Sequence, residues 1–453
     1  MRASSSRPVR RSTPILALAP LALALAAAPS ACSSNKGASP AAAPPAAPWN
    51  ADGSPLTTTY EGYQIVWLKG TPYEMGQQHG QLLHDILIDG VAALGSDPLL
   101  HLMSELAVDE GLVPIAQADS FPDFVQECQG LVDATTDIGF TMADCLVLNF
   151  GDVLAEYLES TVPSSGANLQ PGCTQVIATG GATTDGRLLH ARLMDWNEVD
   201  YIVAHPTIFV RQPTGGVAHV TIGFPGNISP YQGMNAAGIT VSTNRIYANS
   251  ETPPAGGRSG VQLAGEILAH AHSLADARTM VQSTPELAHL IMGVSDANAG
   301  TGEIYEIAPT GVGVRALDGS VVYATNHYVG ATMAGTDTQP PPQHTILRYQ
   351  RLGDLVPKGA RYSIYGTIDP TSFVGLLRDR VDPQTMVTSP PVFDDGLSIA
   401  TDGALYAAVF DGSRSQFWVA AGAIPIPSQA FVGFSLAHLL GDASAAPEAL
   451  KIP

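Results

Sequence analysis

The chain has few cysteines, few basic residues, no familiar metal-binding spacing and no apolar run long enough to cross a membrane. Only four cysteines occur in 453 residues, Cys32, Cys128, Cys145 and Cys173, which excludes a disulfide-dense small scaffold. Neither a CxxC pair nor an HExxH run is present, so no metal and no cofactor is expected. Lys and Arg together number 21 against 41 Asp and Glu, a formal charge of −20. A surface of that sign repels nucleic acid and anionic membrane faces, and nothing argues for a polyanionic partner. The longest apolar run, Ile15 to Ala28, contains Pro20 and falls short of the ~18–20 residues that a membrane helix needs.

What is there begins with that run. Arg2, Arg7, Arg10 and Arg11 precede it and small residues lead from it to Cys32, the layout of a secretory signal. Pro29-Ser30-Ala31-Cys32 resembles a bacterial lipobox, with Pro29 where leucine is usual, and makes Cys32 the expected lipidation site. Plain secretion is the alternative. Arg10-Arg11 also permits twin-arginine export, although the apolar residues expected just after the pair are missing. Residues 1–32 are read as a signal peptide of lipoprotein type. Export from a bacterial cytoplasm follows, with the lipid anchor as the one membrane contact, facing periplasm or cell exterior. Residues 33–56, rich in Ser, Ala, Pro and Gly, cannot bury a core and read as a disordered linker. Without the four signal arginines the charge becomes −24, from 17 basic and 41 acidic residues.

The remaining ~400 residues are ample for a large core. Tyr60 to Leu68 reads as a strand. Thr71 and Glu74 then form a capping box with Pro72 at the first helical position, which predicts a helix running to about Leu94. Gly76 and Gly80 lie one turn apart on that helix. Each glycine costs about 1 kcal/mol there, so the pair implies close approach by another element. Helices are also expected at about 121–132 and 142–158, which makes 57–172 mainly helical. Cys128 and Cys145 fall in those two helical patterns. They fit either one disulfide or two separate buried thiols, and the apolar patterns favour the thiols.

The texture changes at Cys173. Short β runs at 174–179, 187–194, 207–211, 217–223 and 238–243 are separated by Gly, Pro and Asp-Gly turns. Helices are expected at 261–272, 275–281, 345–355 and 372–379. Further strands are expected at 291–295, 303–307, 313–317, 321–324, 405–410 and 416–420. Runs of strands interrupted by helix pairs favour a layered α+β fold. Asp296-Ala297-Asn298-Ala299-Gly300 has the look of a calcium loop, but Ile307 stands where its glutamate is needed, so a hairpin turn is expected. His270 and His272 are two apart on a helix and point to different faces, which argues against shared metal ligation.

Five segments stand in order: GTPYEMGQQHG, GCTQ, TDGRLLHARLMDW, MNAAGITVSTN and ATNH. Together they resemble the isopenicillin N acyltransferase-type cysteine peptidase family, related to choloylglycine hydrolases and penicillin V acylases among the N-terminal nucleophile (Ntn) hydrolases. The resemblance runs from about Tyr60 to the C-terminus. It implies a four-layer αββα sandwich, self-cleavage between Gly172 and Cys173, and an acyl-enzyme route. Residues 57–172 would become an α chain and 173–453 a catalytic β chain, the two remaining associated. By resemblance Cys173 is the nucleophile. Arg192 and Asp195 orient its thiol and amine, Asn244 and Asn326 supply oxyanion or amine contacts, and Arg348 lies near the active site. On the helical pattern alone, Arg348 reads as a helix-surface arginine, and His327 as structural rather than as a papain-like base.

The chemistry of the residue types agrees. A cysteine thiol titrates near about 8.5 and an α-amine near about 7.7–8.0, so a freed Cys173 amine can take the thiol's proton near neutrality. Before cleavage that nitrogen is an amide with no useful basicity. The expected activity is hydrolysis of a linear N-acyl amide, a small molecule. Acyl-CoA is not expected outside the cytoplasm, which sets hydrolysis ahead of acyl transfer to a peptide-like amine. A non-catalytic lipoprotein binding module retaining the fold is the other alternative.

Overall fold

The computed structural model describes residues 56–149, 153–154, 156–157, 172–196, 198–246, 257–336, 340–388, 397–401, 403–447 and 449–453. The stretches expected to be a signal peptide with Cys32 and a linker up to residue 55, and parts of the helix expected over 142–158, lie outside the described residues.

The chain opens with a hairpin, β1 (Thr57–Tyr60) and β2 (Tyr63–Gly70), followed by α1 (Pro72–Leu82). The capping box is present: Thr71 Oγ1 accepts from Glu74 N, and Thr71 N donates to the Glu74 carboxylate at 2.7 Å. α2 (His84–Ser96), α3 (Pro98–Asp109), α4 (Leu112–Asp119), α5 (Pro122–Ala134) and α6 (Met142–Asn149) follow. The Gly76 prediction has a direct explanation. A Cβ on Gly76 would lie 2.0 Å from Glu127 O of α5, and one on Gly130 of α5 would lie 2.0 Å from Tyr73 O. The two helices therefore touch backbone to backbone. The single helix expected to reach Leu94 is instead broken at Leu83 (φ −113°, ψ 16°). The break lets Leu83 and Leu87 both enter the core, although no glycine or proline marks the spot. The expectation of separate thiols is also corrected: Cys128 of α5 and Cys145 of α6 form a disulfide, Cα to Cα 5.9 Å. The apolar faces that carried them pack on each other.

After Gly172 come β3 (Thr174–Gly180), β4 (Gly186–Asp195), α7 (Asp200–Ala204), β5 (Thr207–Pro213), β6 (His219–Gly223), β7 (Gln232–Asn235) and β8 (Ile239–Arg245). A helix pair, α8 (Gly260–His270) and α9 (Leu274–Ser283), leads to β9 (Leu290–Asp296), β10 (Thr301–Ala308), β11 (Gly311–Ala316) and β12 (Val321–Ala324). A second pair, α10 (Gln343–Leu355) and α11 (Pro370–Leu377), precedes β13 (Ala404–Asp411), β14 (Gln416–Ala421), β15 (Val432–Ser435) and α12 (Leu436–Leu439). The four-residue strands β7 and β15 are too short to show alternation, and sequence reading missed both. Asp296 closes the β9–β10 hairpin, its Oδ1 accepting from Asn298 N and Ala299 N at 3.0 Å each.

Among the described residues the strands form two sheets, ordered β1-β2-β5-β6-β7-β8-β9-β10-β11 and β12-β3-β4-β13-β14-β15. All neighbouring pairs are antiparallel except β2–β5, whose parallel register runs from Gln64↔Thr207 to Gly70↔Pro213. Ile177, Leu188, Ile291, Ile304 and Val322 fill the space between the sheets. His190 crosses it too, its Nε2 at 2.8 Å from Ser242 Oγ and its Nδ1 at 3.0 Å from Ser295 Oγ. α8 and α9 cover the outer face of the larger sheet through Leu263, Ile267 and Val281. α10 and α11 cover the smaller one through Leu352, Phe373 and Leu377. The fold is α+β, layered αββα as expected.

Candidate active site

The site is built on the β3–β4 hairpin. Thr174 pairs with Leu193 and Gln175 with Arg192, so the residue just before β3 is carried to the end of β4. That residue is Cys173, a buried free thiol. Arg192 Nη2 reaches its Sγ at 3.5 Å and also donates to Thr243 O of β8 at 2.5 Å, spanning the two sheets. Burial pushes the Arg192 guanidinium down, and the neighbouring Cys173 and Tyr231 partly offset this.

Asp195 sits against the preceding residue. Gly172 N donates to Asp195 O at 3.2 Å, and Thr401 Oγ1 donates to Asp195 Oδ2 at 2.5 Å. The carboxylate lies between two glycines. A Cβ on Gly172 would meet Oδ2 at 2.1 Å, and one on Gly403 would meet Oδ1 at 2.3 Å. Gly172 is therefore required sterically.

Both asparagines are fully buried. Asn244, near the end of β8, donates Nδ2 to Thr325 O at 2.9 Å and to Ala324 O at 3.4 Å. Its Oδ1 has no hydrogen-bond partner among the described residues. Asn326, just after β12, donates Nδ2 to Arg245 O at 2.7 Å and accepts from Arg348 Nη2 at 2.9 Å.

Arg348 is not on a helix surface: it is fully buried on α10. Its Nη1 donates to Cys173 O at 2.7 Å and to Thr174 Oγ1 at 3.2 Å. One guanidinium thus joins the Cys173 carbonyl to Asn326. The helical pattern could mark a buried face of α10 but not what that face covers. His327 Nδ1 lies 3.2 Å from Thr325 Oγ1 and 3.0 Å from Thr345 Oγ1. Burial and then Arg348 and Arg315 push it down to about 4, so it stays neutral in the fold.

A pocket opens at Cys173. Arg192, Arg245 and Tyr231 give it polar points, while Leu99 and Met103 of α3, Leu148 of α6, Met194, Phe224 and Leu405 make the wall apolar. Arg245 packs over the Trp196 ring at 5.4 Å. Sequence reading named none of these wall residues. Arg245 and Trp196 directly follow Asn244 and Asp195, and that adjacency was the available signal. α3 carried none.

Three comparisons bear on this site. Residues 189–423, just over half of the chain, match the family model described as acyl-coenzyme A:6-aminopenicillanic acid acyl-transferase. An uncharacterized protein of Archaeoglobus fulgidus is 26% identical over 350 residues, covering 68% of this chain and 56% of that protein. Protein dcd1B of Dictyostelium discoideum is 23% identical over 273 residues, covering 54% of this chain and 50% of that protein. The chain thus spans about half the length of these curated relatives. Among solved structures, the Caenorhabditis elegans ortholog of N-acylethanolamine-hydrolyzing acid amidase aligns at TM-score 0.38 and 14% identity, over 53% of this chain and 93% of that one. A mutant conjugated bile acid hydrolase from Clostridium perfringens aligns at TM-score 0.30 and 15% identity, over 55% and 89%.

Proposed function

Because the chain belongs to the acyl-coenzyme A:6-aminopenicillanic acid acyl-transferase family, we propose that it is a self-processing cysteine amidohydrolase cleaving linear N-acyl amides. The observation that carries this reading is the setting of Cys173: its thiol on Arg192, and Gly172 pressed on the Asp195 carboxylate. In the first reaction Sγ adds to the Gly172 carbonyl and the Cys173 nitrogen leaves, giving a thioester. The departing nitrogen takes up the thiol's proton and becomes the free Cys173 amine; water then hydrolyses the thioester, releasing the Cys173 thiol and a Gly172 carboxylate. Arg348 holds the Cys173 carbonyl and stops the cysteine from rotating away.

In turnover the freed amine takes the thiol proton and the thiolate attacks the substrate carbonyl. The departing amine collects the proton, and water resolves the acyl-enzyme. Arg192 and Asp195 orient the thiol and amine. The oxyanion role is assigned to Asn326 and Asn244, where one donor contributes roughly 3–4 kcal/mol. Asn244 Nδ2 already has two carbonyl acceptors, and the contact at 3.4 Å to Ala324 O is the weaker one that an oxyanion would replace. The apolar wall fits an apolar acyl group, with Arg245 and Tyr231 as polar contacts for the amine side. Acyl transfer to an added amine is the competing outcome from the same acyl-enzyme.

Strands β1 and β2 precede the cleavage site yet sit in the larger sheet beside β5, which supports continued association of the two chains. The test is direct. Purified protein should run as two pieces of about 14–15 and 29–30 kDa, from mean residue mass, with Cys173 at the new N-terminus. Cys173→Ala should remain one chain. An unprocessed wild-type chain inactive on a panel of N-acyl amides refutes the proposal. Product masses with added amine separate hydrolysis from transfer. Export with lipid on Cys32 belongs to the same proposal, and palmitate labelling lost in Cys32→Ser tests it.

A further inference from the structure

A second cavity lies away from Cys173 and shares no lining residue with the apolar pocket. Its mouth is formed by Asp123 in the first turn of α5 and by Glu266 and His270, one turn apart on α8. One ligating atom from each lies within 4.8 Å of the others. His270 Nε2 stands 3.6 Å from Glu266 Oε2 and 3.8 Å from Asp123 Oδ2. Those separations are too long for hydrogen bonds. They are close to the ~3.4 Å between neighbouring ligand atoms around a tetrahedral ion with bonds of about 2.1 Å. We propose that Asp123, Glu266 and His270 bind a divalent cation of the zinc class, which ties the chain before Gly172 to the chain after it.

The interior of the cavity supports this independently. Arg211 is 3% exposed and hydrogen-bonds Glu127 through Nη1 alone, at 2.7 and 2.8 Å. Its Nε and Nη2 have no hydrogen-bond partner among the described residues, although the guanidinium lies over the Phe209 ring at 5.5 Å, and Ser229 Oγ, in a residue 2% exposed, has none either. Arg211, Glu127 and Ser229 are all among the residues that line the cavity. Buried polar groups need partners, so the space suits water or a small anion completing a metal's coordination. The charges agree in sign: Arg211 is paired with Glu127, so the carboxylates of Asp123 and Glu266 are the ones a dication would balance. Two carboxylates and one imidazole are donors that zinc accepts, with a fourth position left open to the cavity.

The mouth is accessible, with Asp123 and His270 side chains 49% and 43% exposed and Glu266 19%. An ion can therefore enter the folded protein. The sequence offered His270 only beside His272, and the partners Glu266 and Asp123 emerge from the packing of α5 on α8.

The test uses tag-free protein, stripped with a chelator and titrated with zinc chloride by calorimetry. The Cys173→Ala chain serves as the parent, so that the thiol cannot capture the metal. One equivalent should bind, and zinc should raise the Tm. His270→Ala and Glu266→Gln, each made in that parent, should lower affinity at least about tenfold, with the Tm of His270→Ala indifferent to zinc. Cobalt in the parent should give the absorption of a tetrahedral site. No uptake by the parent, or equal affinity in parent and both variants, overturns the proposal. Neither readout depends on chain cleavage or amidase activity.

Discussion

Gly172→Ala puts the proposed first reaction under a defined strain. The added Cβ would sit 2.1 Å from Asp195 Oδ2, closer than the 3.0 Å below which something must shift. The carboxylate must therefore retreat by about 0.9 Å from the position set by Gly172 and Thr401. It has little room, because its other oxygen already occupies the space where Gly403 would carry a Cβ. Losing the Thr401 hydrogen bond costs about 1–3 kcal/mol as a contact to a charged group. Misplacement by about 1 Å near reacting atoms costs on the order of 100-fold in rate. Pulse-labelled Gly172→Ala precursor should thus be cleaved about 100-fold more slowly than wild type, with stability reduced by no more than about 3 kcal/mol. Gly403→Ala presses the same carboxylate from the opposite side and should slow cleavage in the same direction. Once cleaved, residue 172 is no longer bonded to the nucleophile, so amidase turnover per cleaved molecule should stay near wild type. A Gly172→Ala chain processed at the wild-type rate would falsify the idea that this contact governs maturation.

Three further outcomes follow from the packing. Replacing both Cys128 and Cys145 by alanine removes a link across a sequence separation of 17, and urea denaturation should show a loss of about 3 kcal/mol from chain entropy; an unchanged midpoint contradicts this. Burial pushes His79, His190 and His219 down to about 3, so between pH 6.5 and about 3 the unfolded chain binds protons that the folded chain does not. Stability is then full above pH 6.5 and falls on acidification, by up to about 4 kcal/mol in sum at pH 5.5. The raised Glu127 carboxyl opposes the trend, and a urea midpoint for Cys173→Ala that is level from pH 7.5 to 5.5 counts against it. Arg348→Met strips a donor from Cys173 O, Thr174 Oγ1 and Asn326 Oδ1. At about 1–3 kcal/mol per buried unpaired acceptor, the Cys173→Ala background should lose at least about 3 kcal/mol, and a loss below 1 kcal/mol argues that the network is not structural.

Local chemistry was legible in the sequence where the chain itself made the contact. Cys173, Arg192 and Asp195 meet because one hairpin joins them, and the Thr71–Glu74 box is a four-residue event. Asn244 and Asn326 could be named through family resemblance, but their acceptors, Thr325 O and Arg245 O, come from distant segments. Arg348 shows the limit most clearly. Helical spacing cannot say that α10 lies over the Cys173 carbonyl, so a fully buried guanidinium read as a surface one. The same holds for the apolar wall from α3 and for Asp123 beside Glu266. The break at Leu83 has no glycine or proline to announce it, because packing alone decides it.

The parallel pairing of β2 with β5 has a consequence for how such a protein can be made. Before cleavage, that pairing is reached by one chain closing a loop on itself, a unimolecular event independent of concentration. After the proposed cleavage, the same hydrogen bonds would join two molecules, so refolding would become second order and fail on dilution. The proposed maturation would then act as a ratchet: the protein would fold once, as a precursor, and its later lifetime would be set by an unfolding rate rather than by an equilibrium.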